Sequence, residues 1–277
     1  MITKINPRKG WHFFTAEDLR ELLQYKDLLY MLVGREVSVL YKQTVLGFAW
    51  AIFRPVVQMV IFTVIFGKLV NMQSMIGTDV PYAVFSFTAL VPWTYFAVAL
   101  NSSTGSLIGN QQFITKVYFP RIIIPITPIL SKLLDFAIAF VVLVVMLFAY
   151  GIVPNYQIVF LPLLVLLMMM TALGMSLWLS ALAIQYRDVS QFMQFFAQLL
   201  MYAAPVIWPI TLVPEGYRFV YGFYPMAGVI EGFRASLIGQ SAMPWDMIGA
   251  GFITATILMI TGILYFRSRE NIFADVV

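Results

Sequence analysis

The sequence predicts an all-α integral membrane protein with six transmembrane helices. An N-terminal amphipathic interface helix precedes them, and two short re-entrant extracytoplasmic helices lie between helices five and six. Three observations predict this. Of 277 residues, 61% are hydrophobic and 11% charged, against about 45–50% and about 25% in soluble domains, and mean hydropathy is +0.87. With 13 acidic and 17 basic side chains, a water-facing surface would carry large apolar patches, which excludes a soluble globular chain and a disordered one. The charges are spaced widely enough to leave apolar runs near the roughly 20 residues that a membrane helix needs. Finally, Lys and Arg gather in alternate connections, as they do in cytoplasmic loops.

Residues 1–45 are charge-rich and read as a cytoplasmic amphipathic segment. Thr15-Ala16-Glu17-Asp18 has the form of a capping box. Leu19, Leu22, Leu29, Val33, Val37 and Leu40 then recur at helical spacing, with Arg20, Lys26, Asp27 and Arg35 between them. That pattern predicts a helix lying in the headgroup plane. A short apolar run with a cleavage site, the mark of a signal peptide, is not seen.

Residues 46–277 read as the transmembrane domain. Spans are expected at Leu46–Phe66, Tyr82–Leu100, Leu133–Tyr150, Val159–Ile184, Phe192–Trp208 and Met247–Phe266. The stretch Phe219–Gly239 is apolar too, but it holds Glu231 and Arg234 together with Gly222, Pro225, Gly228 and Gly232. A charged pair is costly at the bilayer centre. Two short re-entrant helices, buried in protein or lining a watery cavity, are therefore expected there, with Glu231 and Arg234 sharing a face and pairing at i, i+3. The basic residues of the N-terminal arm, of Lys116 and Arg121, of Arg187, and of Arg267 and Arg269 place both termini in the cytoplasm. That requires an even number of spans.

Much chemistry is missing. There is no cysteine and a single histidine, His12, so disulfides, thiolate metal sites and a thiol nucleophile are excluded. No phosphate-binding loop, dinucleotide-binding glycine pattern, zinc-protease motif or nucleophile elbow occurs. No catalytic residue, metal or bound cofactor is expected. Asp135, the acid near a span, is expected at the interface beside Lys132. Any uphill movement must then draw its energy from a partner.

Six local patterns carry a resemblance. They are Tyr41–Trp50 with Arg54-Pro55; Leu90–Phe96 with Asn101-Ser102-Ser103; Asn110–Arg121 leading to Pro125; Gln185–Val189; Tyr224–Arg234; and Arg269–Asp275. In this order and spacing they resemble the permease subunits of bacterial ABC-2 type exporters for polysaccharides and polyol phosphates, among them the O-antigen, capsule and teichoic-acid exporters. The intact Lys-Val-Tyr-Phe-Pro-Arg run looks closer to the O-antigen and teichoic-acid branch.

The resemblance implies a six-span subunit of the bacterial inner membrane that forms a channel as a homodimer. Two copies of a separate cytoplasmic ATPase would supply ATP and Mg. The cargo would be a lipid-linked polysaccharide, O-antigen first; membrane lipid would surround the chain, and no nucleic acid is expected. Phe113, Lys116, Tyr118, Phe119, Pro120 and Arg121 would form the coupling helix that enters the ATPase. Their aromatic rings suit a protein partner or, alternatively, the membrane interface. Trp93, Tyr95, Phe96, Phe195, Tyr202 and Trp208 would line the substrate path, where rings stack on sugars without reading each one. Arg54 would either hold a lipid phosphate or snorkel to the surface. Tyr224, Pro225, Glu231 and Arg234 would belong to the exit re-entrant helices. The alternatives are an ABC-2 permease for teichoic acid, capsule, a drug or a small lipid, and, from another class, a membrane transferase acting on lipid-linked sugars. The transferase would need a ligand spacing that Asp79, Glu215, Glu231 and Asp246 do not form.

Overall fold

A computed structural model describes residues 20, 23–42, 49–76, 80–116, 119–186, 188–239 and 241–270, which are mostly helical with no strand among them. Helix α1 (Lys26–Lys42) precedes α2, which is α-helical over Ala49–Phe62 and π-helical over Thr63–Leu69. Helix α3 (Tyr82–Thr104) is followed by the short α4 (Gln111–Lys116), then α5 (Ile123–Ala149) and α6 (Leu161–Ala183), the last entered through a 3-10 turn at Tyr156–Phe160. Helix α7 (Asp188–Ala203) leads to the short α8 (Glu215–Tyr221), then α9 (Pro225–Ile238) and α10 (Trp245–Arg269). Among the described residues, five segments are long and apolar enough to cross a membrane: Ala49–Leu69, Tyr82–Thr104, Ile123–Ala149, Tyr156–Ala183 and Trp245–Arg269. Helix α7, with 16 residues, measures about 24 Å at 1.5 Å per residue and falls short of that length.

The long helices alternate in direction. One end of the bundle gathers α1, α4, the start of α5 and the ends of α6 and α10 around Leu32, Leu107, Phe119, Ile123, Leu177 and Phe266. The other end gathers the start of α3, the end of α7, α8, α9 and the start of α10. Helix α7 starts beside the close of α6 at the first end and finishes among α8 and α9 at the second. Helix α3 is the hub, with 78% of its apolar window buried against 11% for Ala49–Leu69. Some of its hydroxyls bond within the helix, as Thr88 does to the Val84 carbonyl at 2.8 Å, and others tie it to neighbouring elements, as Ser103 does to Pro125.

Most boundaries differ from expectation by a few residues, and two differ by more. Helix α5 starts at Ile123, not Leu133. The first helical turn needs no intrahelical N–H partners, so Pro125 is tolerated there, and Ser103 Oγ donates to the Pro125 carbonyl at 2.7 Å. Helix α7 ends at Ala203, not Trp208, because Pro205 lacks the N–H that another turn requires.

Helices α6 and α10 cross at two glycines. A Cβ at Gly174 would lie 2.7 Å from the Met259 nitrogen, and one at Gly262 would lie 2.5 Å from the Gly174 carbonyl oxygen. Backbones this close exchange side-chain bulk for main-chain packing, as small residues allow between membrane helices. Helix α9 packs on α10 in the same way, with a Cβ at Gly228 falling 2.9 Å from the Met247 carbonyl. Gly239 then ends α9 at φ +76°, a left-handed conformation that costs glycine little.

Candidate functional site

At the first end, the connection from α3 to α5 folds back under α1. Asn110 Nδ2 donates to the Ser106 carbonyl at 2.9 Å, and Arg35 Nη2 of α1 donates to Asn110 Oδ1 at 2.7 Å. The Arg35 guanidinium also stands over the Phe113 ring, 4.8 Å from its centre. Between these elements lies a cavity of about 180 Å3, walled by Met31, Leu32, Phe113, Phe119, Ile124 and Pro128. Arg121 Nη1 donates to the Glu270 carbonyl at the end of α10, a favourable place for a cation because the last helical carbonyls carry partial negative charge.

The proposed coupling residues therefore separate. Phe113 is exposed at the rim, Pro120 and Arg121 are half-buried, and Phe119 is 5% exposed. Phe119 belongs to the core beneath α1: a ring that large is driven inside when Leu32, Ile114 and Ile122 are at hand to cover it. Tyr118, the Lys116 side chain, the capping box at Thr15–Asp18 and Asn271–Asp275 lie outside the described residues.

A charged cluster missed in the sequence joins α1 to α5. Lys132 is buried, although it sits one residue before the span expected from the sequence. Burial pushes the Glu36 carboxyl of α1 above the usual carboxylate range, and Lys132, a hydrogen bond with Ser131, and Arg35 pull it back. Arg54 lies on the exposed face of α2, 5.6 Å from the centre of the Trp50 ring. The signal for Lys132 was a lysine ten residues inside an apolar stretch beginning at Ile122; reading the span from the next residue hid it.

The expected path residues also divide. Trp93, Tyr95 and Phe96 are buried in the hub helix, and Tyr95 OH donates to the Ile129 carbonyl at 2.8 Å. Tyr95 ties α3 to α5 through this bond and through the Phe136 ring, 5.7 Å away centre to centre. Phe195 and Tyr202 are exposed, continuing with Phe192 and Leu199 a single stripe along α7. Trp208 is half-buried, its Nε1 donating to the Tyr202 carbonyl at 3.2 Å.

At the second end, Glu231 and Arg234 pair as expected, Nη1 to Oε1 at 2.6 Å. The pair is inside the subunit: α9 is buried at every residue from Pro225 to Leu237. Pro225 occupies the first turn of α9 and begins it. Arg234 lies 3.5 Å from the centre of the Phe85 ring, and its Nη2 donates to the Val206 carbonyl at 3.0 Å. Burial pushes the Glu231 carboxyl up and the guanidinium beside it pulls it back. With Phe85, Pro209, Thr211 and Ser241, the pair lines a second cavity of about 180 Å3.

An apolar bundle with a tethered short helix at one end and the buried α9 beside the exposed α8 at the other does not by itself select one function, and similarity along the chain narrows it. The family model described as ABC-2 type transporter matches residues 27–238. The chain belongs to this family. As an ABC-2 chain it is 29% identical over 252 residues to an O-antigen export system permease protein of Klebsiella pneumoniae, covering 90% of this chain and 95% of that one. The O-antigen export system permease protein of Myxococcus xanthus is 25% identical over 260 residues, 93% of this chain and 98% of that one. A polysialic acid transport protein of Escherichia coli is 21% identical over 242 residues, 86% of this chain and 91% of that one.

Proposed function

We propose that this ABC-2 chain is the membrane subunit of an ATP-driven exporter that moves a lipid-linked polysaccharide, O-antigen in the first instance, across the bacterial inner membrane. The observation that carries the reading is similarity to O-antigen export permeases along nearly the whole of both chains. A shared catalytic fragment or a single motif would not extend so far. The end with α1 and α4 faces the cytoplasm and receives two copies of a separate ATPase, which binds ATP and Mg. The end with α8 and α9 is the outer exit. Helix α7 serves as the sixth crossing despite its length, with the segment 204–209 and the tops of α8 and α9 completing its depth, so both termini lie in the cytoplasm.

Two copies form the channel. The exposed stripe of Phe192, Phe195, Leu199 and Tyr202 on α7 supports this reading, as does the exposed face of Trp50, Phe53, Val57 and Val60 on α2. The two helices are neighbours, with Gln58 Nε2 3.3 Å from the Met201 sulfur. Aromatic rings on α7 offer flat apolar surfaces to sugar CH groups, and Arg54 supplies a fork for the phosphate of the lipid carrier.

The test is co-purification with the ATPase, followed by assay in vesicles. Lipid-linked O-antigen should stimulate ATP hydrolysis and become accessible on the far side only with ATP. Stimulation by a drug or short lipid, with none by the glycan, would select the small-molecule alternative. Sugar transfer without ATP would select the transferase.

A further inference from the structure

The outer end of α7 is closed by side chains. Pro205 stops the helix at Ala203, so carbonyls of the last turn and of the segment beyond lose the partners that a continuing helix would supply. Five side-chain donors bond there, although the Leu200 carbonyl also keeps its helical partner, the Ala204 N–H at 2.9 Å. Tyr224 OH donates to the Leu200 carbonyl at 3.1 Å, and Trp208 Nε1 to that of Tyr202 at 3.2 Å. Tyr221 OH donates to the Ala203 carbonyl. Arg234 Nη2 donates to Val206 at 3.0 Å, and Tyr82 OH to Ile207 at 2.8 Å.

These donors come from different elements: Tyr82 opens α3, Tyr221 closes α8, Tyr224 precedes α9, and Arg234 lies on α9. Each is itself held. Arg234 is fixed by Glu231 at 2.6 Å, and the Tyr221 ring lies 5.8 Å from Trp208 and 6.5 Å from Tyr224, centre to centre. Burial pushes both phenols well above their usual range, so each remains protonated and a standing donor. The Val206 carbonyl belongs to a buried residue and must find a donor, and moving α7 away from α8 and α9 would break the Tyr221 and Tyr224 bonds together.

We propose that Tyr221, Tyr224 and Arg234 are positioning residues for transport, splicing the outer end of α7 to α8 and α9 so that the three move as one body. The proposal rests on the reading of α8 and α9 as the exit. It makes the aromatic stripe of α7 and the exit a single lever: a shift of the stripe displaces the exit by the same rotation, and no separate signal is needed to open it.

The test uses the purified complex with its ATPase and the variants Tyr221→Phe, Tyr224→Phe and the double, which keep the rings and remove the hydroxyls. Tyr217→Phe, on the exposed face of α8, is the control. Amide hydrogen exchange should quicken in residues 199–209 and 215–224 together, on the order of tenfold for the double variant, while α6 keeps its protection. ATP hydrolysis should continue, and export per ATP should fall several-fold. Unchanged exchange across 199–209 overturns the splice, whatever export does. Faster exchange with full export overturns its role in transport. Exchange is read without cargo, so failure of the wild-type complex to move any lipid-linked glycan is a separate result that overturns the export reading alone.

Discussion

Arg35 reaches Asn110 across 75 positions of sequence, Nη2 to Oδ1 at 2.7 Å, and roofs the Phe113 ring with the same guanidinium. One side chain thus fastens α1 to α4. If the ATPase pushes on α4, this clasp carries the push to α1 and, through Glu36 and Lys132, into α5. Arg35→Ala should lower export per ATP hydrolysed several-fold in reconstituted vesicles while the complex stays assembled. Arg35→Lys should recover only part, because an ammonium cannot fork to the amide and cover the ring together. An unchanged ratio of export to hydrolysis in Arg35→Ala would remove the clasp from the pathway.

Phe119 is a matter of packing before it is a matter of docking. It is 5% exposed and borders a cavity of about 180 Å3 that already exists. Phe119→Ala should cost about 3–5 kcal/mol, the range for large-to-small changes in a core, and should lower the melting temperature of the detergent-solubilised permease without its ATPase. Phe119→Leu should cost far less. A normal melting temperature with lost ATPase binding would return Phe119 to the docking surface.

Gly262→Ala tests the crossing of α6 and α10. The added methyl would meet the Gly174 carbonyl oxygen at 2.5 Å and Leu177 Cβ at 3.3 Å, and neither is a flexible tip that could swing aside. Overpacking of this kind costs about 1–3 kcal/mol. Gly249→Ala, with nothing within 4 Å of its new methyl, should be neutral or slightly stabilising in the same thermal melt.

The helical order was legible because charge gaps and breakers act over a distance that any reader of the chain can measure. The pairing of Glu231 with Arg234 was legible because i, i+3 spacing on a helix leaves two opposite charges little choice. The start of α5 was not: the span was read from the residue after Lys132, and only the turn from Pro120 to Ile122 shows that the helix begins well before that charge. Burial was the least legible property. Trp93, Tyr95 and Phe96 have the composition of a channel lining, yet α3 is the hub, and hub position depends on which helices surround it. The hydroxyl donors at the end of α7 were hidden for a similar reason. Tyr82 lies 125 positions from the carbonyl it serves, and no local pattern announces such a bond.

The count of crossings turns on α7, and labelling can decide it. The chain has no cysteine, so single cysteines report without background. Ser74, Tyr156 and Glu215 are exposed at the end assigned to the outside, and Gln112 is exposed at the opposite end. If α7 crosses, cysteines at 74, 156 and 215 react with an impermeant thiol reagent in cells with a permeabilised outer envelope, while those at 112 and 271 stay protected until the inner membrane is opened. If α7 instead folds back, five crossings remain. Positions 74 and 156 still label, but 215 is protected and 271 labels from outside. The pair 215 and 271 therefore carries the decision, and 74, 156 and 112 calibrate the reagent. The pattern expected is labelling at 215 with protection at 271, because the donors that hold the end of α7 come from Tyr82, Tyr221, Tyr224 and Arg234, and all of these sit at the same end of the bundle as Ser74. The reverse pattern would discard the even count, and with it the cytoplasmic placement of the C-terminus.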